Sequence, residues 1–217
     1  MMLGKERIEC KPQKIEKSAC IFVEGKLDQI VVELVLRDIC EERFRKNIQI
    51  FKLRSKKDLK NVKKVPGFNK LKAALVILDK NGDYRGTSQQ IESFFEKLPK
   101  QCRCKLKFIS PPEDSSGKEI EDYIIELIIT YSKDDKFMRR IKRDIHRLID
   151  DGFTSDKKVG KKVLFTYLLL KDSCSYDGLS IKAEQFQSCI EVSLSKLKEL
   201  RTVLEKFVGF VREAFEG

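Results

Sequence analysis

The chain has 217 residues, 41% of them hydrophobic and 36% charged, and its 45 Lys+Arg against 34 Asp+Glu give a net charge of +11. That balance fills a core and lies outside the disordered class, and the longest apolar runs, near 123–129 and 163–170, fall short of the ~20 residues a bilayer span needs. Residues 1–17 are too polar for a signal sequence, and seven cysteines without paired spacing argue for a reducing compartment, so a cytoplasmic protein with no membrane partner is expected.

In chain order, residues 19–23 are an apolar, β-favouring run that ends at Glu24-Gly25-Lys26 and reads as a buried strand entering a turn. From Asp28 the period turns helical, with Ile30, Val31, Leu34, Val35 and Ile39 on one face. A second strand is predicted over 48–53. Ser55 is placed to cap a short basic helix that Pro66-Gly67 ends. Residues 73–78 are the strongest buried-strand signal and run into Asp79-Lys-Asn-Gly-Asp83. A helix follows over 87–98, then an alternating strand over 104–109, then a helix from about 119 to 131. Strands alternating with helices imply βαβ units, so the expected fold is α/β, a mainly parallel sheet flanked by helices, over residues 1–135. Residues 136–217 read as a helical extension packing on it, with basic, apolar and long amphipathic helices over 136–148, 157–170 and 190–215. The last carries an apolar face that packs on the domain or serves a homo-oligomer.

Charge is one-sided. Residues 43–72 carry twelve basic side chains and a single acid, Asp58. Such a block attracts a polyanion at long range, whereas a merely solvated face would alternate its signs. Nucleic acid is the expected partner, with Lys26, Lys56, Lys57, Lys60, Lys63 and Lys64 as candidate phosphate contacts. Cys102 and Cys104 have no second pair to complete a zinc site, and the one histidine, His146, sits in a basic helix without a serine or cysteine partner motif.

Ligands of an open parallel sheet bind beyond the carboxyl ends of its strands. Glu24 and Asp79 each follow a wholly apolar strand, where an acid is costly to bury unless paired or metal-bound. Asp28, one helical turn beyond Glu24, and Asp83, beyond Asn81, fall within reach. As a cap or a turn residue each of these two has an ordinary explanation; Glu24 and Asp79 together do not. Carboxylate, amide and water oxygens suit Mg²⁺, with Mn²⁺ as its substitute.

Ile21-Phe-Val-Glu24-Gly25-Lys26-x-Asp28, followed by a helix and later by Val76-Ile-Leu-Asp79-x-Asn81-Gly82-Asp83, resembles the Toprim domain. That module is shared by topoisomerases, DnaG-type primases, overcoming-lysogenization-defect nucleases and the 5S-rRNA maturase. Its marks are a glutamate after the first strand and Asp-x-Asp after the third. The likeness covers residues 17–131 and is nearest to small prokaryotic Toprim-like proteins of unassigned function. Those share a Glu-Gly-Lys-x-Asp opening, a stretch like Gly117-Lys-Glu-Ile-Glu121-Asp122, and a helical tail like that from Asp156 onward. Asn81 departs from the pattern and removes one charge from the site.

The resemblance implies magnesium-dependent phosphodiester chemistry. Asp79, with Asp28 and either Asn81 or Asp83, would hold Mg²⁺ against a scissile phosphate, and Glu24 would be the general acid/base or share a metal. Glu121 and Asp122 would add a third carboxylate, and Lys26 would contact phosphate. A small nuclease is the expected activity. The alternatives are a non-catalytic nucleic-acid binder and a defence-system effector working with a separate ATPase, since the chain has no phosphate-binding G-x-x-x-x-G-K-[ST] loop of its own.

Overall fold

The computed structural model describes residues 14–79, 83–110, 120–155, 159–171, 186–188, 194 and 197–216. Four strands, β1 (Ala19–Val23), β2 (Ile48–Lys52), β3 (Ala73–Asp79) and β4 (Cys104–Ser110), pair in parallel in the order β2-β1-β3-β4. Helices α1 (Lys26–Ile39), the single-turn α2 (Glu42–Arg45), α3 (Tyr84–Phe95) and α4 (Ile120–Tyr131) alternate with them. The expected α/β class, a parallel sheet flanked by helices, is present and is Rossmann-like. β1 and β3 are fully central, so both of their faces are apolar; β1 is buried at every position.

Period-two alternation sorts each strand between two cores. Ile21, Val23, Leu75 and Ile77 face α1, α4 and the later helices, while Cys20, Phe22, Ala74, Val76 and Leu78 face α3. The second core is aromatic. Phe22 stacks obliquely on Phe51 at 5.5 Å and meets Phe94 edge-on at 5.2 Å, and Phe68 reaches Phe94 at 6.3 Å. The phenylalanines of the basic block are therefore core residues, with Phe44, Phe51 and Phe68 all buried.

Beyond α4 come α5 (Asp135–Asp150), α6 (Val159–Leu170) and α7 (Lys198–Glu216). Apolar residues of all three share the first core, and α7 lies against β3, β4, α1 and α2. The long C-terminal helix expected over 190–215 is described from Lys198 to Glu216; of residues 190–196 all but Leu194 lie outside the described residues, and the Leu197 N–H donates to the Leu194 carbonyl at 3.0 Å. No helix among the described residues is long and apolar enough to cross a membrane.

The basic helix expected after Ser55 is a chain of 3₁₀ turns, Lys56–Lys60, Val62–Lys64 and Phe68–Lys70. The reason is the apolar spacing. Leu59, Val62, Val65, Phe68 and Leu71 recur every third residue, the 3₁₀ period, and all but the half-buried Val65 are buried. Gly67 turns the chain at φ +88° so that Ile15 can donate to the Pro66 carbonyl at 2.8 Å.

Candidate functional site

The strand order reverses between β1 and β3. The chain leaves β1 for β2 on one side, then crosses back to β3 on the other. Ligands of open α/β sheets bind at this switch point, outside the carboxyl ends of the strands. Val23 pairs with Ile77, so Glu24 leaves β1 about level with Leu78, and Asp79 ends β3 one residue beyond. The two acids singled out in the sequence thus stand at the carboxyl edge of adjacent central strands.

Glu24 is half-buried, and its Oε2 is cut off from solvent with no hydrogen-bond partner among the described residues. Gly25 begins α1, and its N–H donates to Asp28 Oδ2 at 2.8 Å, so Asp28 caps the helix from its first turn. A Cβ at position 25 would stand 2.9 Å from that oxygen, which is why glycine precedes the lysine. Asp28 is also buried. Burial pushes its carboxyl above the usual carboxylate range; the Gly25 N–H opposes this, the Glu24 charge adds to it, and Lys161 opposes it. The ordinary role of Asp28 as a cap and its place beside Glu24 therefore coexist.

Asp83 is placed differently. Its Oδ1 accepts the Gly86 N–H at 2.8 Å and caps α3, and a Cβ on Gly86 would fall 2.0 Å from Oδ2. Asn81 lies outside the described residues, as do Gly117 and Asp156. Glu121 is buried in the first turn of α4, and Asp122 packs so tightly on α6 that a Cβ on Gly160 would meet its Oδ1 at 2.4 Å. The next residue, Lys161, is the one that acts on Asp28. The amino end of α6 thus packs on Asp122 at the amino end of α4 and carries a lysine whose charge acts on Asp28 at the amino end of α1. Sequence reasoning missed Lys161: its only signal was a Gly-Lys-Lys ahead of an apolar helix, with nothing to link it to the first strand.

Glu24 and Asp28 are crowded carboxylates with one unpartnered oxygen, a donor pair that a hard divalent cation suits. Among the described residues, no three His, Cys, Asp or Glu side chains are arranged to hold a metal ion. The cysteines at 20, 40, 102 and 104 are buried, and burial raises the thiols of Cys102 and Cys104 to about 11, which keeps them inert. His146 is exposed on α5.

The basic segment begins at the same edge. Leu53 donates to the Val23 carbonyl at 2.7 Å, so the chain passes beside Glu24 before entering the 3₁₀ turns. Lys56 Nζ lies 3.4 Å from Thr87 Oγ1 in the first turn of α3. Lys57, Lys60, Lys63 and Lys64 are exposed, and none makes an ion pair among the described residues. Asp58, the one acid of the segment, instead accepts the N–H groups of Arg54 and Ser55 at 3.0 and 3.1 Å. Lys26 is half-buried with its Nζ 3.4 Å from Gln29 Oε1.

Fold and edge define a Rossmann-like α/β protein with paired acids at the switch point and an unneutralised basic flank. Comparison with protein-family models, with curated proteins and with solved structures gives no match for the chain.

Proposed function

We propose that the protein carries out divalent-metal-dependent phosphodiester chemistry on nucleic acid, as a small Toprim-type nuclease. The observation that carries this reading is the Glu24 carboxylate, with a buried, unpartnered oxygen beside the buried Asp28, one strand away from Asp79 at the switch point. Glu24, Asp28 and Asp79, with Asn81, would hold Mg²⁺ or Mn²⁺. Bound there, the ion would offset negative charge on the phosphate oxygens and orient the attacking oxygen. Glu24 would either share the ion or, left free of it, accept and return the proton. Lys26 and Lys56 hold the flanking phosphates as point charges, and the exposed lysines of the 3₁₀ turns draw the strand in. Asp83 belongs to the capping of α3 rather than to the ligand set.

A second reading, a nucleic-acid binder without catalysis, is favoured by one specific feature. Asp28 and Asp83 are both engaged by backbone N–H groups, which leaves fewer carboxylate oxygens for an ion.

The deciding assay is cleavage of labelled single- and double-stranded RNA and DNA with Mg²⁺ or Mn²⁺, alongside melting with and without the ion. The nuclease reading expects an ion-dependent stabilisation of about 2.7 kcal/mol at a hundred times Kd. Glu24→Gln and Asp79→Asn should remove both that gain and the cleavage while the protein stays folded. Asn81→Asp should bind the ion more tightly. If wild type shows neither cleavage nor an ion-induced shift, and Asn81→Asp gains neither, the binder reading replaces it.

A further inference from the structure

A recess lies away from the acidic edge, between the first 3₁₀ turn and the outer side of α3, with a volume of about 310 Å³. That is at the small end of ligand pockets. Its walls carry Lys60 from the 3₁₀ turn and Gly86, Gln90, Ser93 and Lys97 from α3 and its end; no carboxylate lines it. Lys97 Nζ reaches only Ser93 Oγ, at 3.4 Å, and neither lysine has an acidic partner among the described residues. Two cations from separate elements therefore face one recess with no anion to balance them. Gln90 adds an opposite demand. Its Oε1 is buried with no hydrogen-bond partner among the described residues. Such an orphaned acceptor is satisfied when the carboxamide turns toward a donor brought into the recess.

A ligand that answers both demands carries a phosphate and, beside it, an N–H or O–H donor. We infer that this recess holds one nucleotide unit of the bound strand, its phosphate between Lys60 and Lys97 and a base or sugar donor on Gln90. The position suits such a unit. Gly86 lies three residues beyond Asp83, which caps α3, and Lys56 ties the same 3₁₀ turn to Thr87, so the recess lies farther along the helix and the turn that flank the acidic edge. The inference rests on the nucleic-acid reading above, and it adds Lys97, Ser93 and Gln90, none of which belongs to the basic block.

The test is fluorescence anisotropy with labelled oligo-uridine and oligo-thymidine over a range of salt. Lys97→Gln should weaken binding roughly fivefold and lower the salt slope by about 0.7, the value of one phosphate contact to a single strand. Gln90→Leu should weaken binding by a similar factor without changing the slope, because it removes no charge. Lys100→Gln, an exposed lysine outside the recess, should stay within about twofold of wild type. Melting curves establish that each variant is folded. If Lys97→Gln and Gln90→Leu bind as wild type does while reversal of Lys56, Lys57, Lys63 and Lys64 weakens binding, the recess is off the strand's path and the interface survives. If wild type binds neither polymer, both readings fall. If free uridine monophosphate stabilises wild type but not Lys97→Gln, with strand affinity unaltered, the recess belongs to a free nucleotide and the inference is overturned.

Discussion

Two stretches of this chain are strongly basic, and they treat their charge in opposite ways. On α5, Arg139 pairs with Asp135 at 3.8 Å and Arg140 with Asp144 at 3.9 Å, each one helical turn apart, and Arg143 also reaches Asp144. In the 3₁₀ segment between β2 and β3, Asp58 accepts from two backbone N–H groups, and the lysines around it make no ion pair among the described residues. The difference follows from helical period. An α-helix brings residues four apart together, so acids placed at that spacing neutralise the arginines. In the 3₁₀ turns the column Leu59, Val62, Val65, Phe68 is apolar and Lys57, Lys60, Lys63 form another, with no acid interleaved. Net charge alone does not separate a solvated helix from a polyanion-binding surface. What the acids are doing does.

The strongest test of that distinction exchanges charge in both places. Reversal of Lys56, Lys57, Lys63 and Lys64 to Glu should lower affinity for a single-stranded oligonucleotide by about a thousandfold, and flatten the salt dependence by roughly three in log–log slope. The matching reversal of Arg139, Arg140 and Arg143 should leave affinity within about threefold, since those charges are already matched. Anisotropy titrations at several salt concentrations read both. Equal losses from the two sets would make the attraction one of overall charge and erase the difference between the segments.

The shape of the 3₁₀ segment, as well as its charge, has a single weak point. Gly67 sits at φ +88°, and a Cβ there would lie 1.9 Å from the Ile15 carbonyl oxygen, a backbone atom with little room to withdraw. Gly67→Ala should therefore cost about 3 kcal/mol, from left-handed strain and from the displaced strand-leading segment together. Chemical denaturation measures it. Gly152→Ala is the control, since Gly152 also has positive φ, at +75°, but nothing stands within 4 Å of its Cβ position. It should cost only the strain, about 1 kcal/mol.

How much of this was legible in the sequence differs by element. The central strands were, because apolar runs such as Ala73–Asp79 ending in an acid leave no other reading. The placement of Glu24 and Asp79 at one edge followed from parallel pairing. The 3₁₀ character of the turns was legible in principle, through the spacing of three from Leu59 to Leu71, but a capping serine and a basic run gave no more than a short basic helix. Asp83 was legible only as a choice between a turn residue and a ligand; the Gly86 N–H that its Oδ1 accepts is a contact that spacing from Asp79 does not show. Lys161 was not legible at all. Its charge acts on Asp28 from α6, which packs on Asp122 of α4 at Gly160, a relation between segments far apart in sequence.

The smallest effect expected lies at the start of α5, where an acid is used in a third way. Asp134 precedes the helix, yet its carboxylate does not cap it; Oδ2 instead accepts from Tyr167 OH at 3.0 Å and from Lys171 Nζ at 2.5 Å, both from the end of α6 or just beyond it. The Lys171 hydrogen bond, helped by Tyr167 and by neighbouring charge, holds the Asp134 carboxyl below its ordinary range against a lesser opposing effect of burial. A carboxyl lowered on folding binds its proton less readily in the native state than in the unfolded one. Its contribution is thus fully present above the ordinary carboxylate pKa and is lost as pH falls through the lowered value. Asp134→Asn keeps an acceptor for Tyr167 but removes the charge. It should cost about 1 kcal/mol at neutral pH and nothing at strongly acid pH, so that the acid limb of its stability curve is shallower than that of wild type. Melting from neutral to acid pH, for both proteins, supplies the comparison. A constant offset at every pH would mean that Asp134 holds α5 to α6 by shape and neutral hydrogen bonding, with its charge contributing nothing.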